Sequence, residues 1–158
     1  MPELYTVMLY KNGVDIETRA DCERLVRAFY GKALADPVIG FIFVDVAHLD
    51  LEAHIPVIAS FWETILLRSN TYAGGAFAAH ARLHAKVELR AGHFQRWLGL
   101  WQATVDELFA GERAEQAKTH AVRVAAAFHQ RLQAFPSPRD GVPASTGLTI
   151  TQHGGRGA

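Results

Sequence analysis

A single cysteine, Cys22, is the only thiol in this chain of 158 residues. That excludes a disulfide framework and any zinc site built on several thiolates. Neither sign of charge is in excess: 16 Lys and Arg balance 16 Asp and Glu. A neutral chain lacks the electrostatic footprint that draws proteins to nucleic acid or to anionic membranes, so neither is an expected partner. No apolar run approaches the roughly 18 residues a membrane helix needs. The opening "MPELYTVMLYKNGVD" does not lead a basic stretch into a long apolar one, so it is not read as a secretory signal. These absences describe a cytoplasmic, soluble protein. Chemical signatures are missing too. The chain has no Gly-x-Ser-x-Gly elbow and no phosphate-cradling loop, since Gly74-Gly75 alone signals only a turn.

What remains is apolar and helical in period. Hydrophobic residues make up 49% of the chain, enough for one domain with a real core. "LYTVMLY" has strand character but no partner strand nearby, so residues 1–15 are read as an N-terminal extension. "RADCERLVRAFYGKALADP" predicts a helix capped by Asp21, with Leu25, Ala28, Phe29 and Leu34 on one side, ending by Pro37. "PVIGFIFVDV" reads as a short apolar turn. In "DLEAHIPVIASFWETILLRS", His54, Ile58, Phe61 and Trp62 share a face, and Pro56 predicts a helix that opens close to His54 or kinks there. After the turn "SNTYAGG" comes the alanine-rich "AFAAHARLHAK", then a break at Gly92. "HFQRWLGLWQATVDELFAG" is strongly amphipathic, and "ERAEQAKTHAVRVAAAFHQRLQAF" is a second long helix turning Ala117, Ala121, Val124, Ala125, Phe128 and Leu132 inward. The Pro-, Gly- and Ser-rich residues 136–158 are read as a flexible tail. The expected class is all-α, with a domain over residues 16–135.

Eight histidines invite a metal reading. His80 and His84 have the i, i+4 spacing by which two imidazoles share an ion, but Ala81 stands where a zinc hydrolase needs its glutamate. Cys22 lies within an amphipathic helix, where a thiol packs as a small hydrophobe. His93, His120 and His129 read as surface residues, His48 as a loop residue, and Trp62 and Trp101 as core.

Another arrangement accounts for more of these residues. Haem iron needs a neutral imidazole on one side of the ring, an apolar cavity, and polar groups near the sixth position. Small alanines around His80 would let a flat macrocycle approach the backbone. Tyr30 has a hydroxyl that needs a partner if buried, and the Trp97 indole N–H can only donate. No Cys-x-x-Cys-His attachment motif exists, so the cofactor would be non-covalent haem b.

Four stretches, in order over residues 25–110, resemble the truncated haemoglobins, and within them group III: "LVRAFYGKALADPVIGFIF", "AHIPVIASFWETILL", "TYAGGAFAAH" and "HFQRWLGLWQATVDELFAG". The resemblance implies a 2-on-2 helical sandwich around a haem. It also implies that Tyr30 is the distal tyrosine, His54 the distal histidine that gates or contacts the ligand, and Trp97 the distal tryptophan. Phe43 would pack on the haem, or Phe41 if the loop is one residue short, and Ile58 would line the cavity one turn after His54. For the proximal iron ligand, counting from Tyr72 gives His80, while counting back from Trp97 lands nearer His84. The turn at Gly74-Gly75 is the more local anchor and favours His80, with His84 beside it near a propionate or exposed. The implied ligands are O2, CO and NO. NO dioxygenation and peroxidase-like turnover stay open, either of which would draw on an external reductase. The competing readings are a haem-free helical interaction or sensor module, with the alanine-rich helix as its docking face, and a non-haem metal protein using His80 and His84.

Overall fold

The computed structural model describes residues 13–138. The strand-prone "LYTVMLY" and nearly all of the expected tail lie outside the described residues. Within them the chain runs α1 (Arg19–Ala33), a π-helical turn (Ile42–Val46), α2 (Leu51–Leu67), α3 (Ala76–His84), α4 (Ala91–Leu108) and α5 (Glu112–Leu132), with no strand among the described residues. The all-α expectation holds.

The cap of α1 is Thr18 rather than Asp21. The Thr18 hydroxyl accepts from the Asp21 N–H at 3.2 Å, and the Asp21 carboxylate accepts from the Thr18 N–H at 3.1 Å. This is a capping box, in which the acid three residues on is the reciprocal partner. From that start, Cys22, Leu25, Val26, Phe29, Tyr30 and Ala33 form the buried stripe of the helix, and Ala28 lies off it, half-buried. The Cys22 thiol is so enclosed that burial raises its pKa to about 11, as expected of a packing residue.

Helix α2 opens three residues before His54, at Leu51, where the Asp50 carboxylate accepts from the Ala53 N–H at 3.3 Å. Pro56 is therefore carried inside the second turn. Arg19 braces that turn from α1. Its guanidinium donates to the Pro56 carbonyl at 3.1 Å, to the Ser60 hydroxyl at 3.0 Å and to the Glu63 carboxylate at 2.8 Å.

Helix α1 packs on α2 and α4 on α5, and the two pairs meet through α1 against α4 and α2 against α5. Their meeting point is aromatic. The Trp62 and Trp101 rings stack at 4.6 Å, Trp97 stacks on Trp101 at 6.0 Å, and the edge of Phe29 meets Trp101 at 5.5 Å. The Trp101 N–H donates to the Ala117 carbonyl at 3.2 Å. Ala117 and Ala121, both fully buried, keep α5 close to this stack. Trp62 and Trp101 are core residues, as expected. Helix α4 starts at Ala91, so Gly92 lies in its first turn and the break comes earlier.

Two carboxylates hold the connections. The buried Asp36 accepts from the Val38 and Ile39 N–H groups at 2.9 and 3.1 Å and from Arg96 at 2.6 Å, tying the corner after α1 to α4. Asp15 does the same for α5, accepting from the Arg113 and Ala114 N–H groups at 3.0 and 2.9 Å. Gly111, the residue before α5, has φ +139° and offers no side chain, and a Cβ there would lie 2.4 Å from the Asp15 carboxyl carbon. Asp15 thus acts as a distant N-cap. Burial would raise its pKa, but the backbone donors and Arg113 together hold it below the ordinary value. A depressed carboxyl contributes stability above its unfolded pKa of about 3.9, and that stability is lost as pH falls through the folded value. Asp15→Ala should cost about 1 kcal/mol in urea denaturation at pH 7. The gap from wild type should narrow in strongly acidic solution; a pH-independent gap would mean the carboxylate is not the cap.

Candidate functional site

Tyr30 comes near the end of α1, 5% exposed, and the tautomer-dependent hydrogen bond from its hydroxyl spans 2.9 Å to His54 Nε2 on α2. The sequence places these residues 24 apart, and the α1–α2 packing makes them partners. Phe43 completes the group. In a π-helical turn the Ala47 N–H reaches the Ile42 carbonyl, at 2.8 Å, and such turns are frequent at functional sites. From this one Phe43 meets the Tyr30 ring edge-on at 5.5 Å. Phe41 faces elsewhere: it is 40% exposed and its nearest aromatic is His93, at 6.3 Å. Ile58, one turn after His54, is half-buried against the core. Trp97 is half-buried as well, 6.0 Å from Phe29, and its N–H finds no acceptor among the described residues.

Helix α3 brings His80 close enough to His54 to act on its charge. His80 Nδ1 is 2.8 Å from the carbonyl of Ala76, one turn earlier. A carbonyl can only accept, so the contact fixes the Nδ1–H tautomer and leaves Nε2 with a free lone pair. The side chain of Phe128 on α5 backs the imidazole at 4.9 Å. Helix α3 has Gly75 as its N-cap residue, with no side chain to close the helix, and the Tyr72 hydroxyl takes that role, accepting from the Ala76 N–H at 2.8 Å.

His84 departs from the exposed alternative. It is neither exposed nor placed as a second ligand; it is 3% exposed, and its Nδ1 accepts from the Leu89 N–H at 3.0 Å, closing the loop after α3. The described residues hold no group of three or more side chains that could bind a metal ion by themselves, so a zinc site shared by His80 and His84 finds no support. The other histidines are less superficial than expected. His93 Nδ1 accepts from the Arg90 N–H at 3.0 Å at the start of α4, His120 lies 6.2 Å from Trp62, and His129 lies 5.4 Å from Phe94. His48 is an exposed loop residue, as expected.

Both imidazoles of the site favour the neutral form. Burial lowers the His54 pKa, and the nearby His80 lowers it further; burial lowers that of His80 more than the Ala76 carbonyl raises it. An unfolded histidine titrates near 6.5. The stability gained by keeping these rings neutral is therefore complete above about pH 6.5 and is lost as pH falls through the lowered folded values. Urea denaturation of the ligand-free protein should show stability falling below about pH 6.5. His54→Gln, which keeps a polar partner for Tyr30 but cannot titrate, should flatten that fall, and an unchanged slope would show that His54 does not contribute.

No protein-family model matches the sequence, and no curated protein matches it. The crystal structure of a group III truncated hemoglobin from Campylobacter jejuni is similar, with a TM-score of 0.67 and 23% sequence identity over 76% of this chain and 94% of that one. With two packed helix pairs, a π-helical turn and the short α3, this chain has the truncated-globin fold.

Proposed function

We propose that this chain binds haem b non-covalently, with His80 as the proximal iron ligand and Tyr30, His54 and Trp97 on the distal side, and that it takes O2, CO and NO as ligands. The observation that carries the reading is the opposed pair of neutral imidazoles. His80 offers a bare Nε2 with its other nitrogen held by a carbonyl, and His54 lies near enough for His80 to influence its titration. A carbonyl on the far ring nitrogen is what orients a ligating histidine and raises its basicity. His84 lacks this arrangement, because its Nδ1 already accepts from Leu89.

The residues fit the group in two further respects. Several apolar side chains are left only half-covered by the core, among them Phe43, Ile58, Phe77, Phe94, Trp97 and Leu98. A flat apolar macrocycle between α2 and α3 would cover such surface. Two donors stand ready on the distal side, since burial raises the Tyr30 pKa and keeps its hydroxyl protonated, and the Trp97 N–H has no acceptor among the described residues. Haem supplies an iron whose sixth position accepts a diatomic gas. Tyr30 and Trp97 would supply hydrogen-bond donors to a bound gas, with His54 sharing Tyr30 or giving way. Phe43 and Ile58 keep water from the same space. Redox turnover, of NO with O2 or of peroxide, would draw electrons from an external reductase. The setting is the cytoplasm, where the buried Cys22 stays a thiol. No helix of the described residues is long and apolar enough to cross a membrane. The haem-binding domain spans residues 16–135.

Absorption spectra of haemin-reconstituted protein, ferric, ferrous and with CO, test this directly. Wild type should show an intense Soret band, and His80→Ala should lose normal ligation. His84→Ala should keep the ligated spectrum and lose stability instead. If wild type takes up no haemin, the haem reading fails and a helical interaction module replaces it. Ligand dissociation gives a second check. Tyr30→Phe and Trp97→Phe should each release O2 about two- to tenfold faster, as expected for a net hydrogen bond of about 0.5–1.5 kcal/mol. Rates equal to wild type would remove these donors from the distal site.

A further inference from the structure

Helix α3 is a weak element that carries an exacting task. It is nine residues long, short of the roughly 12–15 at which an isolated helix becomes even marginally stable. His84 is its one buried residue. Its N-cap, Gly75, has φ 96° and lends no side chain to the orphan N–H groups of the first turn. Yet His80 is oriented from that same turn, through the carbonyl of Ala76.

We infer that Tyr72 is a positioning residue for the proximal histidine: its hydroxyl holds Ala76, and Ala76 holds the imidazole. The two hydrogen bonds meet on one residue. The Tyr72 hydroxyl accepts from the Ala76 N–H at 2.8 Å, and the Ala76 carbonyl accepts from His80 Nδ1–H at 2.8 Å. The N–H and C=O of a residue flank its two soft dihedrals, so pinning the first restricts where the second can point. Tyr72 is itself fixed from α2. Its N–H donates to the Thr64 hydroxyl at 3.2 Å, and its ring meets Phe61 edge-on at 5.2 Å. The line of support therefore runs from α2, which carries His54, across the turn to His80. Opposite, His84 Nδ1 holds the other end of α3 to Leu89. The helix packs on α5 through Phe77 and His80 and is tied at each end by a side-chain hydrogen bond, of which the one at its N-terminus sets the imidazole.

The inference rests on the haem reading. When Tyr72→Phe removes the hydroxyl, the first turn of α3 loosens, the Nδ1–H contact weakens, and the imidazole becomes a poorer donor to iron. The ring of phenylalanine keeps the contact with Phe61, and Thr64→Val gives a graded comparison, because it loosens the hold on Tyr72 from α2 but keeps the Tyr72 hydroxyl. In the resonance Raman spectrum of the ferrous haemin-reconstituted protein, the iron–histidine stretching band of Tyr72→Phe should move to lower wavenumber and broaden. Thr64→Val should move it less than Tyr72→Phe does. Haemin transfer to an acceptor globin should be about tenfold faster from Tyr72→Phe, the usual scale for losing support behind a metal ligand. A second measurement needs no variant: in the haem-free wild type, the Ala76 amide should exchange with solvent more slowly than those of Phe77 and Ala78. A Tyr72→Phe band identical to wild type, an equal shift in Thr64→Val, or an Ala76 amide as fast as its neighbours overturns the inference and leaves the haem reading standing. A wild type that takes up no haemin overturns both.

Discussion

A phenolic hydroxyl inside a core must find a partner, and the arrangement of this molecule follows from how Tyr30 finds one. An unpaired buried hydroxyl costs about 1–3 kcal/mol. With Tyr30 almost wholly enclosed, the demand falls on α2, where His54 meets it at 2.9 Å. That contact requires α2 to cross α1 with its first turn opposite the end of α1. Arg19, at the other end of α1, enforces the same crossing by reaching the Pro56 carbonyl and Glu63. The imidazole drawn in by Tyr30 is the one that faces α3.

The remainder of the core supplies rigidity where α1 and α2 need it. The stack of Trp62, Trp101 and Trp97 joins α2 to α4, and the Trp101 N–H is satisfied by α5. Three large rings would leave little room for a fourth helix, and α5 meets this by turning alanines inward. The same economy is absent at α3. Its alanines are exposed or half-buried, and hydrogen bonds at its two ends supplement the packing of Phe77 and His80 on α5.

The proposed function draws on the contrast between these elements. The residues proposed for the distal side come from α1, α2, the π-helical turn and α4, elements locked by buried rings and by the Asp36–Arg96 pair. The residue proposed for the proximal side comes from the least buried helix. On that reading, a cofactor bound between them would complete the packing of α3 and stabilise that helix.

Periodicity was enough to place all five helices, because each long one buries a stripe that recurs every three or four residues. Tyr30, His54, Trp97 and Phe43 stood out for another reason, the chemistry a haem site needs and the order they share with the truncated haemoglobins. End effects were harder to read. Thr18 and Asp21 are both capping types, and only the hydrogen-bond pattern tells the cap from its reciprocal partner. Pro56 suggested a later start to α2 because the bracing by Arg19 lies 37 residues away in sequence. His84 looked like the twin of His80, since spacing alone cannot show that one imidazole accepts from a loop N–H while the other keeps a nitrogen free. Tyr72 carried a turn signal and served as the anchor for counting to His80, but its hydroxyl had no role that the sequence could show. Sequence determined which residue types each helix offers, because side-chain pattern is local. The tertiary structure decided which of those polar atoms are already satisfied and which remain available, because a hydrogen bond between distant segments exists only once the helices have packed.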